Sequence, residues 1–132
     1  MIVIDASALA KYVLKELMWR TVVKYLEMEN VITLDLALKE VLNAVWKATY
    51  VHKVLDRDIA LEKYRVLTEL VEGKVIEVEN EVKYLNKALE ISIDNGITIY
   101  DALYIAQALK HRAQLLTSDR EQAKVSEKLG IK

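Results

Sequence analysis

The sequence of 132 residues contains no cysteine, no proline and no phenylalanine, and it has only three glycines and two histidines. Without cysteine there can be no disulfide framework, thiolate zinc site, iron–sulfur cluster or cysteine nucleophile. Three isolated glycines cannot form a phosphate-binding glycine loop. His52 and His111 are too few and too far apart for a histidine-rich metal site. Any chemistry must therefore depend on oxygen ligands and carboxylates.

Charge and hydropathy limit the partners and the compartment. The net charge is −1 and the pI about 6.1, so any nucleic-acid contact is local or metal-assisted rather than driven by a basic excess. No apolar run approaches the ~20 residues that span a bilayer. The N-terminus lacks a basic segment and carries Asp5 within its apolar stretch, unlike a secretory signal. We therefore expect a cytoplasmic protein that makes no contact with a membrane.

Short apolar runs alternate with longer amphipathic segments. The runs that predict strands are Met1–Ile4, Val31–Thr33, Val75–Val78 and Gln114–Leu116. The segments that predict helices are Ser7–Glu16, Trp19–Met28, Leu36–His52, Asp58–Glu72, Glu81–Asn95, Asp101–His111 and Arg120–Leu129. Gly73 and Gly96 are expected to end two of these helices. The alternation is typical of an α/β fold, with a small parallel sheet well covered by helices.

Acidic residues stand where predicted strands give way to helices. Asp5 follows the first strand directly, and Asp119 comes shortly after the last one. Asp101 is the first residue of the predicted helix that precedes the last strand. Glu40 lies one turn into the helix that follows the second strand. Because open α/β sheets bind ligands at the carboxyl ends of their strands, these four carboxylates are expected to meet there.

Three of these carboxylates also have a purely structural interpretation. Asp5 or Ser7 suits the N-cap position of the first helix, and Asp119 suits that of the last. Thr98 and Asp101 fit the capping-box pattern. Because caps are common, each residue taken alone is ambiguous.

Glu40 lies at the border of the apolar face of its helix, close to Asn43 and Lys47. There it could be solvated, pair weakly with Lys47, or belong to a polar rim that faces a cleft. Four carboxylates gathered at one place cannot all ionise without compensation, and these motifs contain no arginine cluster. Mg²⁺ or Mn²⁺, which prefer carboxylate and water ligands, would supply the missing positive charge.

Four short motifs together resemble the PIN domain, the small nuclease fold of VapC-type toxins in toxin–antitoxin pairs. They are V-I-D-A-S at Asp5, K-E-V-L-N-A at Glu40, Y-D-A-L-Y-I-A at Asp101 and L-L-T-S-D at Asp119. Their order and spacing agree with the family over essentially the whole chain. The resemblance implies one PIN-like domain over residues 1–132, with a three-layer α/β/α fold. It also implies a Mg²⁺- or Mn²⁺-dependent endoribonuclease, the toxin of a VapBC pair.

The resemblance also implies a role for each motif residue. The catalytic and metal-binding quartet would be Asp5, Glu40, Asp101 and Asp119. Supporting roles would fall to Ser7, Asn43 and Thr117. Basic residues near the predicted rim could hold the RNA backbone or be ordinary solvated residues; they are Lys11, Lys15, Lys39, Lys47, Arg120 and Lys124.

The implied partners are RNA, a cognate antitoxin that covers the acidic cleft, and a second copy in a homodimer. The apolar helices at 58–72 and 19–28 could supply the dimer surface, although amphipathic helices usually pack only on the core. An alternative is a catalytically inactive PIN-fold protein-interaction module, which would have a broken acidic site. A receiver domain would need an adjacent acidic pair after strand one, and a haloacid-dehalogenase-type phosphatase would need Asp-x-Asp, where this chain has Ser7.

Overall fold

The computed structural model describes residues 1–28 and 30–131. The strands are β1 (Ile2–Ile4), β2 (Val31–Leu34), β3 (Ile76–Glu79) and β4 (Gln114–Leu116). The α-helices are α1 (Ala6–Val13), α2 (Trp19–Met28), α3 (Asp35–Trp46), α4 (Arg57–Glu72), α5 (Leu85–Asn95), α6 (Ile99–His111) and α7 (Arg120–Lys128). Each strand and helix predicted from the sequence is present, with its ends shifted by a few residues.

Two predicted helices contain irregular turns. The helix expected over Leu36–His52 is α-helical only as far as Trp46 and continues as a π-helical turn over Lys47–Val51. The helix expected from Glu81 begins with a 3₁₀ turn over Glu81–Tyr84, and α5 starts at Leu85. Hydrophobic periodicity cannot separate a turn of four or five residues from an adjoining α-helix, because the period is recognised only over a longer window.

The two helix-ending glycines behave differently. Gly96 follows α5 with φ of 65°, the left-handed conformation in which glycine meets no steric penalty. Gly73 follows α4 with φ of −77°, and the left-handed residue is the next one, Lys74, with φ of 58°. The prediction that α4 ends at Gly73 is therefore right, and the left-handed conformation falls on the residue after it.

All four strands pair in parallel, in the order β3-β2-β1-β4. Central strands in such sheets are covered on both faces and read as continuous apolar runs. Every residue of β1 and β2 is buried. The single polar residue among them, Thr33, donates its hydroxyl proton to the carbonyl of Ile4 at 2.6 Å, so its burial leaves that hydroxyl satisfied.

The strand order determines which face each helix covers. The chain steps from β1 to β2 to β3 in one direction and then returns past β1 to β4. Right-handed crossovers therefore place α1–α4 on one face and α5 and α6 on the other. The contacts agree: α1 packs on α2, α3 and α4, whereas α6 packs on α5, α7 and the central strands. The predicted three-layer α/β/α fold is confirmed.

The core lies between these layers and includes Val3, Ile4, Leu9, Leu34 and Ile105, each with no exposed surface. Burying one such side chain contributes about 1.5–3 kcal/mol to folding. None of the helices within residues 1–28 and 30–131 combines the length and apolarity that a bilayer crossing requires.

The direction of strand addition reverses between β1 and β4. In open parallel sheets such a reversal opens a crevice at the carboxyl ends of the strands, because the crossovers on its two sides leave for opposite faces. The fold therefore directs attention to the residues that follow β1 and β4.

Candidate active site at the carboxyl end of the sheet

A cavity of about 290 Å³ opens at this crevice. Its wall is built from four elements and contains the four carboxylates, Asp5, Glu40, Asp101 and Asp119, together with Ser7, Tyr104 and three alanines. Asp5 follows β1, Glu40 projects from α3, Asp101 from the first turn of α6, and Asp119 precedes α7. The structure thus brings together residues that lie up to 114 positions apart in the sequence. No lysine or arginine is among the lining residues of this cavity.

Asp5 is buried, with 3% of its surface exposed. Its Oδ1 accepts hydrogen bonds from the Ser7 hydroxyl at 2.7 Å and the Ala8 amide at 2.9 Å, and its Oδ2 accepts one from the Thr117 hydroxyl. Burial raises the pKa of Asp5, against the effect of these three hydrogen bonds, and the charge of Asp101 raises it further. Asp5 therefore caps α1 and also lines the cavity, so the two interpretations of this residue are compatible.

A buried amide connects the strand-end residues behind the cavity wall. Gln122 has no exposed surface; its Nε2 donates to the carbonyl of Asp101 at 3.0 Å, and its Oε1 lies 2.9 Å from the Thr117 hydroxyl. The same hydroxyl contacts Asp5 and accepts from the Asp119 amide at 2.9 Å. Gln122 thereby connects Thr117, which contacts Asp5 and the amide of Asp119, to the backbone of Asp101. The sequence did not reveal this role.

Glu40 is held by a tyrosine. The buried Tyr104 donates its hydroxyl proton to Glu40 Oε1 at 2.7 Å, in place of the pairing with Lys47 that the sequence had left open. Burial raises the pKa of Glu40, and the charges of Asp101, Asp5 and Glu81 raise it further, against the hydrogen bond from Tyr104. Neither Tyr104 nor Glu81 was among the predicted site residues.

The remaining two carboxylates also lie at helix N-termini, Asp101 in the first turn of α6 and Asp119 as the N-cap of α7. The Asp101 amide donates to the Thr98 hydroxyl at 3.3 Å, as the capping-box pattern predicted. Asp119 Oδ1 accepts from the amides of Glu121 and Gln122 at 2.9 and 3.1 Å. Burial raises the pKa of Asp101, and the charges of Asp119 and Glu121 add to this effect.

The cavity thus disfavours the ionised form of its carboxyl groups. The pKa values of Asp5, Glu40 and Asp101 are all raised, each by burial first and by neighbouring carboxylates in addition. In residues 1–28 and 30–131, no three acidic or histidine groups lie close enough, as the side chains stand, to share one ion. The donor set nevertheless fits a hard divalent cation, since it offers only carboxylate and hydroxyl oxygens and would lose its internal repulsion on binding one.

Several predicted residues lie outside the cavity wall. Thr117 stands behind Asp5, and Asn43 is an exposed residue of α3. Lys11 and Arg120 lie on α1 and α7 without lining the cavity. Lys47 lines a neighbouring cavity of about 420 Å³, which meets the acidic cavity at Ala44. The expected contact between basic side chains and RNA stays a prediction.

Comparison with known proteins gives a family and several relatives. The family model described as PIN domain matches residues 2–128. The protein named Ribonuclease VapC3 from Pyrobaculum aerophilum is 36% identical over 124 residues, which cover 92% of each chain.

Solved structures share the fold. PAE2754 from Pyrobaculum aerophilum superposes with a TM-score of 0.70 at 24% identity, over 97% of this chain and 90% of that one. VapC20 from Mycobacterium tuberculosis, described as a sarcin-ricin loop cleaving toxin, gives 0.71 at 15% identity, over 100% and 97%. FitAcB from Neisseria gonorrhoeae gives 0.58 at 18% identity, over 96% and 94%. At these identities the superpositions show the fold alone.

Proposed function

The chain belongs to the PIN domain family, and from this membership we propose that it is a Mg²⁺- or Mn²⁺-dependent endoribonuclease, the toxin of a VapBC-type pair. The observation that carries the proposal is the acidic cavity, whose wall contains four carboxylates from four parts of the fold and no basic residue. The name of the relative from Pyrobaculum aerophilum supports the reaction class.

The quartet would hold the cation, with Asp5 and Asp101 as its central ligands and Glu40 and Asp119 completing its shell. When bound, a divalent cation polarises the phosphoryl oxygens, lowers the pKa of a water molecule and neutralises charge that develops on the leaving group. An acidic cavity alone would repel RNA, so its affinity for phosphate depends on this positive charge.

The chain's own residues position the reacting groups. Ser7 and Thr117 fix both oxygens of Asp5, and Tyr104 fixes Oε1 of Glu40. We assign to Glu40 Oε2 the task of orienting the attacking water and accepting its proton. The water oxygen then bonds to phosphorus, the bond from phosphorus to the ribose oxygen breaks, and that oxygen takes up a proton from solvent. This hydrolysis requires no covalent intermediate.

A matched pair of cap variants tests the assignment of Asp5. Asp5 and Asp56 both cap a helix and both accept from the amide three residues on at 2.9 Å. Asparagine caps helices as well as aspartate, so both Asp→Asn variants should fold. We expect Asp5→Asn to lose at least ~10²-fold in the cleavage of fluorescent single-stranded RNA with Mn²⁺ or Mg²⁺, because it removes a charge that holds the cation.

Asp56→Asn should cleave like the wild type, and a chelator should abolish cleavage by both proteins. Equal cleavage by wild type and Asp5→Asn would overturn the proposed site. If the wild type leaves RNA intact with either metal, the alternative of an inactive PIN-fold interaction module would replace the nuclease. The presence of all four carboxylates in one cavity argues against that alternative.

The remaining assignments are also proposals. We propose that RNA is the substrate and that a cognate antitoxin inhibits the enzyme by placing a segment over the acidic cavity. We also propose that Ser7, Thr117 and Asn43 support the quartet, that Lys11, Lys47 and Arg120 hold the RNA backbone, that the protein is a homodimer, and that it acts in the cytoplasm.

A further inference from the structure

A second cavity, of about 470 Å³, lies between the 3₁₀ turn, the start of α5 and the C-terminal half of α6. We call it the lysine cavity and define it by Lys83, Lys87, Lys110, Glu79, Tyr84 and His111. Its volume is within the range of small-molecule sites in proteins. The four carboxylates of the acidic cavity take no part in it.

A polar network built on Glu79 forms one wall of the lysine cavity. Glu79 Oε1 accepts from the Tyr84 hydroxyl at 2.7 Å, from Gln107 Nε2 at 2.9 Å and from His111 Nε2 at 2.8 Å. Glu79 Oε2 faces Lys83 Nζ at 3.5 Å. Three donors converge on one oxygen, so the carboxylate is held in a fixed position with its second oxygen next to the lysine.

One polar atom of this network, the Oε1 of Gln107, lacks a hydrogen-bond partner among the described residues. Gln107 has no exposed surface, and among the described residues its Oε1 is buried without a hydrogen-bond partner. Buried polar groups are normally all paired in native proteins, and exceptions call for an explanation. Gln107 lies behind Glu79 rather than in the cavity wall, and through its Nε2 it fixes the carboxylate that the cavity presents.

The rest of the wall combines positive charge with apolar surface. Lys83, Lys87 and Lys110 are exposed, and their ammonium groups are of the kind that binds phosphate as a point charge. Lys83 Nζ and Lys87 Nζ lie next to carboxylates, at 3.5 Å from Glu79 and 3.7 Å from Glu90. Ala106 and Leu109 of α6 contribute apolar surface beside them. The wall of one cavity thus offers ammonium groups, a carboxylate acceptor and apolar surface.

We propose that the lysine cavity binds a phosphorylated nucleotide unit, with its phosphate on the lysines, a ribose hydroxyl on Glu79 and its base against Ala106 and Leu109. An acidic peptide fits less well, because its carboxylates would meet the carboxylate of Glu79, whereas a ribose hydroxyl would donate to it. This inference goes beyond RNA cleavage and does not depend on it.

The nucleotide unit has two possible sources, a free mononucleotide or a segment of RNA that also reaches the acidic cavity. Both cavities adjoin α6, since Tyr104 lines one and His111 the other. Seven residues of helix separate these two side chains, a rise of about 10 Å. One RNA strand could therefore occupy both cavities.

The test is a titration of the whole protein in the presence of a chelator, which prevents cleavage and keeps cations out of the acidic cavity. The probes are adenosine monophosphate, adenosine, inorganic phosphate, a short single-stranded RNA and an acidic peptide. NMR signals of His111 and Tyr84 report binding at the site. The variants are Lys83→Glu with Lys87→Glu, and the control is Lys24→Glu, an exposed residue of α2 that lines neither cavity.

We expect the monophosphate or the RNA to shift the His111 and Tyr84 signals, and the double variant to weaken binding at least about tenfold. Binding of the monophosphate alone would identify a free nucleotide as the ligand, and binding of the RNA alone would identify the RNA chain. The proposal is overturned if neither binds, if phosphate binds as tightly as the monophosphate, if only the peptide binds, or if Lys24→Glu weakens binding equally. Because cleavage is not measured, these outcomes are independent of the proposed nuclease activity.

Discussion

At the scale of single residues, two buried glutamines allow positioning and stability to be separated. Gln122 supports Thr117 and the backbone of Asp101, whereas Gln107 supports Thr33 and Glu79. We expect Gln122→Met to lower RNA cleavage and Mn²⁺ affinity by about 10–100-fold, because residues that hold metal ligands typically have effects of this size. It should also lower the free energy of unfolding by about 1–3 kcal/mol, through the unpaired groups that it leaves. Cleavage assays, calorimetry with Mn²⁺ and urea denaturation measure these quantities.

The matched control is Gln107→Met. Gln107 is as buried as Gln122 and also makes two side-chain hydrogen bonds. It should lose comparable stability but retain Mn²⁺ affinity and cleavage at temperatures where it stays folded. Equal losses of activity in both variants would mean that Gln122 acts on the site only through stability.

The same residues show where sequence reasoning reaches its limit. Asp5 and Asp119 could be placed near one another because each follows a strand, and parallel strands end at one edge. The contacts of Gln122 with Asp101 and of Tyr104 with Glu40 could not be predicted. In each case the partner belongs to another helix, 21 and 64 positions away. A buried polar side chain on an apolar helix face was the available signal, but it does not name its partner.

At the scale of elements, Glu79 joins the edge strand β3 to α6 and to the 3₁₀ turn. Burial alone would raise its pKa, but the hydrogen bonds from Gln107, Tyr84 and His111, with the charge of His111, lower it from 4.5 to about 2. The unfolded chain therefore binds the proton more readily, so this stabilisation is complete above pH ~4.5 and is lost as the pH falls towards about 2. We expect Glu79→Gln to lower the free energy of unfolding near neutral pH by about 2–3 kcal/mol.

Urea denaturation of both proteins between neutral and acid pH measures the effect. The difference in free energy between wild type and Glu79→Gln should shrink once the pH falls below ~4.5. A difference that stays constant with pH would show that the carboxylate charge of Glu79 does not stabilise this junction.

Strands and helices were predictable from the sequence where the pattern of buried residues along the chain is regular. The strands β1 and β2 were evident because both faces are covered, and α5 because Gly96 ends it. The half-exposed edge strand β3 was also predicted, with each end one residue earlier than the structure places it. His111 pairs with Glu79, 32 positions away, and this pairing depends on a strand order that no local pattern encodes.

At the scale of the whole molecule, the accessible surface is larger than is typical of a monomer of this mass. The accessible area is 8309 Å², against about 7,100 Å² expected for a monomeric protein of this mass. The excess exceeds the ~800 Å² that each partner buries in an interface of standard size. Part of it is an apolar stripe along one face of α5, formed by Leu85, Leu89 and Ile93, which are 44%, 53% and 71% exposed.

A self-complementary apolar stripe suits a two-fold interface, in which the same patch meets itself. We therefore expect light scattering to give about twice the chain mass of 15.1 kDa for the wild type and the monomer mass for Leu89→Glu, because the new charges would be buried face to face. The helix α4, which together with α2 was a candidate for this surface in the sequence, offers the control Leu61→Glu at a residue that is 51% exposed. Dissociation by Leu61→Glu but not by Leu89→Glu would move the interface to α4, and a monomeric wild type would remove the homodimer altogether. Cleavage by the monomeric variant would then decide whether the acidic cavity, whose wall comes from one chain, works without its partner.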